Sequence, residues 1–216
     1  PQLLAGLEPL TLELRYTYFP PDLPPLTQTQ CLALGPEALL PLPLASHLPQ
    51  VDGFLGDWDL DLPGRPLLVD TDPFSHRGPE DLTFRFGLKR DETFVYGAVL
   101  VEDDELDGGT GERGTQADRL FVLLDPCPVQ SASREQLRRS RERTRLFTVR
   151  PGEAGGKPVV SLPGNWPSNA KVAVSQHEKG YIIEWAYPLE VLSECDEQGE
   201  GSFRLNLWVR DADQQG

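Results

Sequence analysis

Leu82-Thr83-Phe84-Arg85-Phe86-Gly87-Leu88, a turn at Arg90-Asp91-Glu92, and the return Thr93-Phe94-Val95-Tyr96-Gly97-Ala98-Val99-Leu100-Val101 decide the fold. In the first segment Leu82, Phe84, Phe86 and Leu88 recur at every second position, the period of a strand with one buried face. Arg85 falls on its polar face. The second segment is apolar in both phases, Phe94, Tyr96 and Ala98 against Val95, Val99 and Val101. That predicts a central strand covered on both sides, joined to the first as a hairpin.

The same signal continues downstream. Asp118 and Asp125 bracket the apolar run Leu120-Phe121-Val122-Leu123-Leu124, and further strands are predicted over 144–149, 157–162, 170–176, 181–187 and 202–210. Gly180 separates two of them, and one helical turn is predicted over 188–192. Trp185 and Trp208 lie inside strands and are expected in the core. About eight short strands with polar punctuation, in a chain with 20 Gly and 21 Pro, predict an all-β fold, an antiparallel β-sandwich of jelly-roll-like form. A body of about 160 residues buries roughly 70% of its unfolded surface, enough for a core without disulfide staples.

Residues 1–49 differ. They hold ten of the 21 prolines, so little regular structure is expected between Pro20 and Pro49, and one strand over 10–18. This segment is read as a Pro-rich N-terminal extension packing on the main domain, 50–216. One short helical insertion is predicted over 131–145, with Ser133 as cap and Gln136 as its capping-box partner. It carries Arg134, Arg138, Arg139, Arg141, Arg143 and Arg145 against Glu135 and Glu142. Two readings of this patch stand open: a solvated insertion, or a dock for an anionic group or an acidic partner.

The formal net charge is −14, which argues against nucleic acid and against an anionic membrane surface. Cys31, Cys127 and Cys195 fit no metal-site spacing and permit at most one internal disulfide. No run approaches 18 apolar residues, so nothing in the sequence reads as a spanning helix. The chain has no Met, so it is expected to be cut or processed from something longer. A membrane connection would come only through a flanking segment.

Three separated stretches carry a resemblance. Val51-Asp52-Gly53-Phe54-Leu55-Gly56-Asp57-Trp58 is the first; Val95 to Asp104 with Asp118-Arg119-Leu120-Phe121-Val122-Leu123-Leu124-Asp125 is the second. The third is Gly180-Tyr181-Ile182-Ile183-Glu184-Trp185-Ala186-Tyr187-Pro188-Leu189 with Asn206-Leu207-Trp208-Val209-Arg210-Asp211-Ala212-Asp213. In order, they resemble the family 9 carbohydrate-binding modules and the related DOMON-like sandwiches. Trp58 matches that family's structural Trp.

Glu184 is expensive to bury inside an apolar strand unless it is paired or coordinated. Asp52, Asp57, Asp103, Asp104, Asp211 and Asp213 sit at strand ends, where carboxylates either cap their own turns or converge on a cation. The candidate ligands for a structural Ca²⁺ are Asp52, Asp103, Asp104, Asp211 and Asp213. The resemblance implies a ligand held between aromatic rings at the loop end of the sandwich. Trp166, in the loop Pro163-Gly164-Asn165-Trp166-Pro167-Ser168-Asn169, is the candidate ring, or else a plug folded over the sandwich mouth. Asn165, Asn169 and Arg85 complete the candidate ligand-binding set. Where relatives place an aromatic residue before the aspartate at Asp118, this chain has Gly114-Thr115-Gln116-Ala117, so one wall of the clamp is missing.

No catalytic constellation appears. His47, His76 and His177 form no triad or metal motif, and no G-x-S-x-G element or P-loop occurs. A haem-bearing DOMON domain would need a Met axial ligand. The preferred expectation is a non-catalytic, extracytoplasmic sensory domain of a membrane receptor such as a sensor histidine kinase in two-component signalling. Sandwiches of this resemblance occur in such receptors, including those of dedicated sortase systems in proteobacteria. The alternative is a carbohydrate-binding module of a secreted polysaccharide-active enzyme. Either way a small molecule or saccharide ligand is expected, in the periplasm or outside the cell, with the receptor reading placing it on an inner-membrane protein.

Overall fold

The computed structural model describes residues 10–18, 26–34, 42–58, 62–63, 81–108, 117–126, 142–152, 156–192 and 203–211. The strands are β1 (Leu10–Tyr18), β2 (Leu26–Leu34), β3 (Leu62–Pro63), β4 (Leu82–Arg90), β5 (Phe94–Asp103) and β6 (Arg119–Asp125). They continue with β7 (Arg145–Arg150), β8 (Val159–Ser161), β9 (Lys171–His177), β10 (Gly180–Pro188) and β11 (Arg204–Arg210). One helical turn, α1 (Leu189–Leu192), follows β10. The larger sheet has the order β3-β4-β5-β10-β9 and the smaller one β11-β6-β7-β8. All their strand pairs are antiparallel. The chain is thus an all-β antiparallel sandwich.

The alternation that predicts the strands also builds the core. Leu82, Phe84, Phe86 and Leu88 of β4 pack inward against buried Val95, Val99 and Val101 of β5. From β10 come Tyr181, Ile183, Trp185 and Tyr187; the smaller sheet supplies Leu120, Val122, Leu124, Phe147 and Val149. Each such side chain removed from water contributes about 1.5–3 kcal/mol. Gly97 is required by this packing, because a Cβ there would run into the indole of Trp185.

β5 and β10 are buried on their other face too, and residues 42–58 supply part of the cover. Pro43 O accepts from Arg90 N, and Ala45 N donates to Arg90 O, a parallel bridge at Leu44. Further along, Glu184 accepts from Asp52 N at 3.0 Å, Gly53 N at 2.5 Å and Trp58 Nε1 at 2.6 Å. Lys89 Nζ donates to Asp57 O at 2.7 Å and lies 5.1 Å from the Trp58 ring centroid. Gly53 has φ +87°, which presents its N–H to the carboxylate at a backbone angle that disfavours a Cβ.

Two expectations change. β2 contradicts the loss of regular structure between Pro20 and Pro49: it pairs with β1 along nine positions, from Leu10 opposite Leu34 to Tyr18 opposite Leu26. The prolines at 20, 21, 24 and 25 precede it and those at 36, 41 and 43 follow it, so each of its residues keeps a backbone donor. Trp208 is not a core residue. It is 37% exposed, in the phase opposite to Leu205, Leu207 and Val209, which pack on the core. The helix predicted over 131–145 lies outside the described residues, apart from helical Glu142 and Arg143 and strand residue Arg145.

Candidate functional site

Three inward-facing aspartates close one end of the sandwich. Asp103 ends β5, Asp118 precedes β6, and Asp211 follows β11, each continuing the inward phase of its strand. One carboxylate oxygen from each lies within 4.8 Å of the others. Asp103 and Asp118 are buried, and Asp211 is half-buried. Asp107, shortly after β5, is joined to one of them: Asp118 N donates to Asp107 O at 3.0 Å, and Asp107 N donates back to Asp118 Oδ2 at 2.5 Å. Asp103 Oδ1 accepts Glu105 N at 3.0 Å.

Tyr181 of β10 stands with this cluster. It has no exposed surface, and its hydroxyl has no hydrogen-bond partner among the described residues. Burial first, and then the charges of Asp118 and Asp103, push the phenol well above its usual range. A phenol facing carboxylates, all oxygen and no nitrogen or sulfur, is a donor set suited to a hard cation.

Of the candidate metal ligands, Asp103 and Asp211 are therefore brought together. Asp52 is elsewhere: its backbone N–H is bound to Glu184 and its Oδ1 caps Phe54 N at 2.9 Å. Asp104 is exposed and outside the cluster, because its side chain is in the opposite phase from Asp103. Asp213 lies outside the described residues. Asp118 and Tyr181 were missed as candidates. Both share the phase of the apolar residues beside them, Leu120 and Ile183, and that parity was the available signal.

Trp166 sits at the other end of β10, about 20 Å away by strand rise. Two backbone hydrogen bonds hold its loop between β8 and β9, Trp166 N to Pro163 O at 3.0 Å and Ala170 N to Pro167 O at 3.1 Å. Its ring is half-buried and makes edge contacts with Phe147, 5.2 Å and 72°, and with Tyr187, 5.2 Å and 69°. It thus folds back on the sandwich end while keeping some exposed surface. Asn165 and Asn169 on either side are exposed. Arg85 does not join them: it is exposed on the outer face of β4, opposite Leu100. The arginine patch over 131–145 lies outside the described residues, except Arg143 and Arg145. Arg145 Nη1 donates to Glu142 O at 3.0 Å.

No family model and no curated protein matches the chain. Among solved structures, it is similar to a family 9 carbohydrate-binding module from Caldicellulosiruptor kristjanssonii in complex with cellotriose, at 14% identity and a TM-score of 0.45. The match covers 68% of this chain and 66% of that one, just under two thirds of its length. A family 9 module from the same organism in complex with glucose matches at 13% identity and a TM-score of 0.42, covering 68% of each chain.

Proposed function

We propose that the chain is a non-catalytic binding module that meets a saccharide at the Trp166 end of the sandwich. The observation that carries this reading is the fixed ring of Trp166, clamped edge-on by Phe147 and Tyr187 and flanked by exposed amides. An aromatic held in place before binding loses little freedom on stacking a sugar, and Asn165 and Asn169 supply donors and acceptors for hydroxyl groups. A thermal-shift screen of neutral oligosaccharides tests it, beginning with gluco-oligosaccharides. At least one is expected to raise the melting temperature; none doing so sinks the reading.

A Ca²⁺ held by Asp103, Asp118 and Asp211, with the Tyr181 hydroxyl beside it, belongs to the same proposal. It would neutralise three crowded carboxylates and tie the larger sheet to the smaller one. A setting outside the cytoplasm, in a membrane receptor such as a sensor histidine kinase, is a separate proposal about flanking sequence. A coding gene with no hydrophobic span beside this segment would defeat it.

A further inference from the structure

Arg145 opens β7 in the inward phase. Phe147 and Val149, further along the same strand, have no exposed surface and belong to the core. Arg145 itself stands opposite buried Leu124 of β6. It therefore continues the inward line of side chains toward the Trp166 end of the sandwich, about 7 Å along the strand from Phe147. Phe147 is the ring whose edge contact holds Trp166 at 5.2 Å. Arg145 and Trp166 are thus neighbours of the same phenylalanine, at the end where Tyr187 of β10 also meets Trp166.

The guanidinium is only partly engaged. Nη1 donates to Glu142 O at 3.0 Å and to Thr144 O at 3.4 Å, closing the helical residues that precede β7. Nε is buried and has no hydrogen-bond partner among the described residues, and no described carboxylate pairs with Arg145. Asp125, the acid at the end of β6, stands opposite Arg204 and is paired with it at 3.6 Å. Nε and Nη2 form the guanidinium edge away from Nη1 and present two parallel donors, which fit both oxygens of one carboxylate. A half-buried cation without a counter-ion is unfavourable, so packing alone does not account for an arginine at this inward position.

We propose that Arg145 sets the ligand class of the Trp166 site: a saccharide carrying a carboxylate, as a uronic or an aldonic acid, is held more tightly than the neutral sugar of the same skeleton. The inference rests on the Trp166 reading and adds to it the charge of the preferred ligand. Trp166 takes the sugar ring, Asn165 and Asn169 meet hydroxyls, and the Nε–Nη2 edge takes the carboxylate. The formal charge of −14 does not oppose this at contact range, because exposed charges beyond about 8–10 Å are largely screened at physiological salt. One member of the arginine-rich stretch thereby acquires an anion-binding role.

Calorimetric titration of the intact chain tests it with cellobiose, maltose and laminaribiose, each compared with its C6-oxidised uronate and its C1-oxidised aldonate. At least one acid is expected to bind about tenfold or more tightly than its parent sugar, and which of the two does so locates the carboxylate. Arg145→Gln is expected to bring acid and parent to equal affinity, Arg145→Lys to keep part of the difference, and Trp166→Ala to weaken both together. Arg150→Gln, on the other face of β7, is expected to leave the difference as it is, and melting curves of all variants confirm folding. Acids no tighter than their parents in the wild-type chain, or a difference that survives Arg145→Gln in a folded protein, overturns the proposal and leaves the Trp166 reading standing. Binding by none of the neutral or acidic sugars removes the Trp166 reading together with it.

Discussion

The indole N–H of Trp58 donates to Glu184 Oε1 at 2.6 Å, joining residues 126 positions apart. With the N–H groups of Asp52 and Gly53 on Oε2, this is how residues 50–58 are fastened to the larger sheet. Glu184→Ala leaves three donors without their acceptor and is expected to cost about 3 kcal/mol in urea unfolding, against about 1–2 kcal/mol for Trp58→Phe. The double variant should lose less than the sum. A loss below about 1 kcal/mol for Glu184→Ala contradicts the role of the clasp.

Burial raises the pKa of Glu184, and its three donors only partly offset that. A raised carboxyl holds its proton more tightly folded than unfolded. Its contribution is therefore complete below the ordinary value of 4.5 and is lost as pH rises through the folded value. Glu184→Gln should remove that downward slope from a stability–pH series. An unchanged slope would show that other groups produce it.

Asp91 works with the opposite sign. Burial disfavours its charge, but Phe94 N, Thr93 N and the Tyr96 hydroxyl together hold its pKa below 3.8. Its stabilisation is present above that value and fades as pH falls through the folded one. Tyr96 is pushed up to about 12, by burial first and then by Asp91, so its contribution holds below 10.0 and disappears toward 12. In Asp91→Asn, the alkaline absorbance titration of Tyr96 should move to lower pH.

A Cβ at position 97 and the Trp185 indole claim the same space. Trp185 has no exposed surface and packs on Phe147 at 5.9 Å, so it has little room to retreat. Gly97→Ala is expected to cost about 1–3 kcal/mol or more. Trp185→Phe placed in that background should recover part of the loss; a further loss would mean the clash is not with the indole.

For the acidic end, EDTA is expected to lower the melting temperature of the calcium-loaded chain by several degrees, and Ca²⁺ to restore it. Asp118→Asn should blunt both responses. A melting temperature indifferent to EDTA and Ca²⁺ removes the calcium proposal.

The strands were legible because Leu82–Arg90, Arg119–Asp125 and Arg204–Arg210 alternate cleanly. The same alternation, carried one step further, would have put Trp208 outside with Asn206 and Arg210. Pairing between distant strands was not legible, since no local signal says that Asp103, Asp118 and Asp211 meet. The β1–β2 hairpin was hidden because prolines crowd around β2 without entering it. The edge contacts of Trp166 likewise depend on Phe147 and Tyr187, which come from different sheets.

Calorimetric titration of the best oligosaccharide from the neutral screen into the intact chain bears most directly on the saccharide-binding reading. The account predicts one binding event, weakened about tenfold or more in Trp166→Ala and also in the surface double variant Asn165→Ala/Asn169→Ala, with both variants folded. Unchanged affinity in both folded variants would contradict a binding site at Trp166.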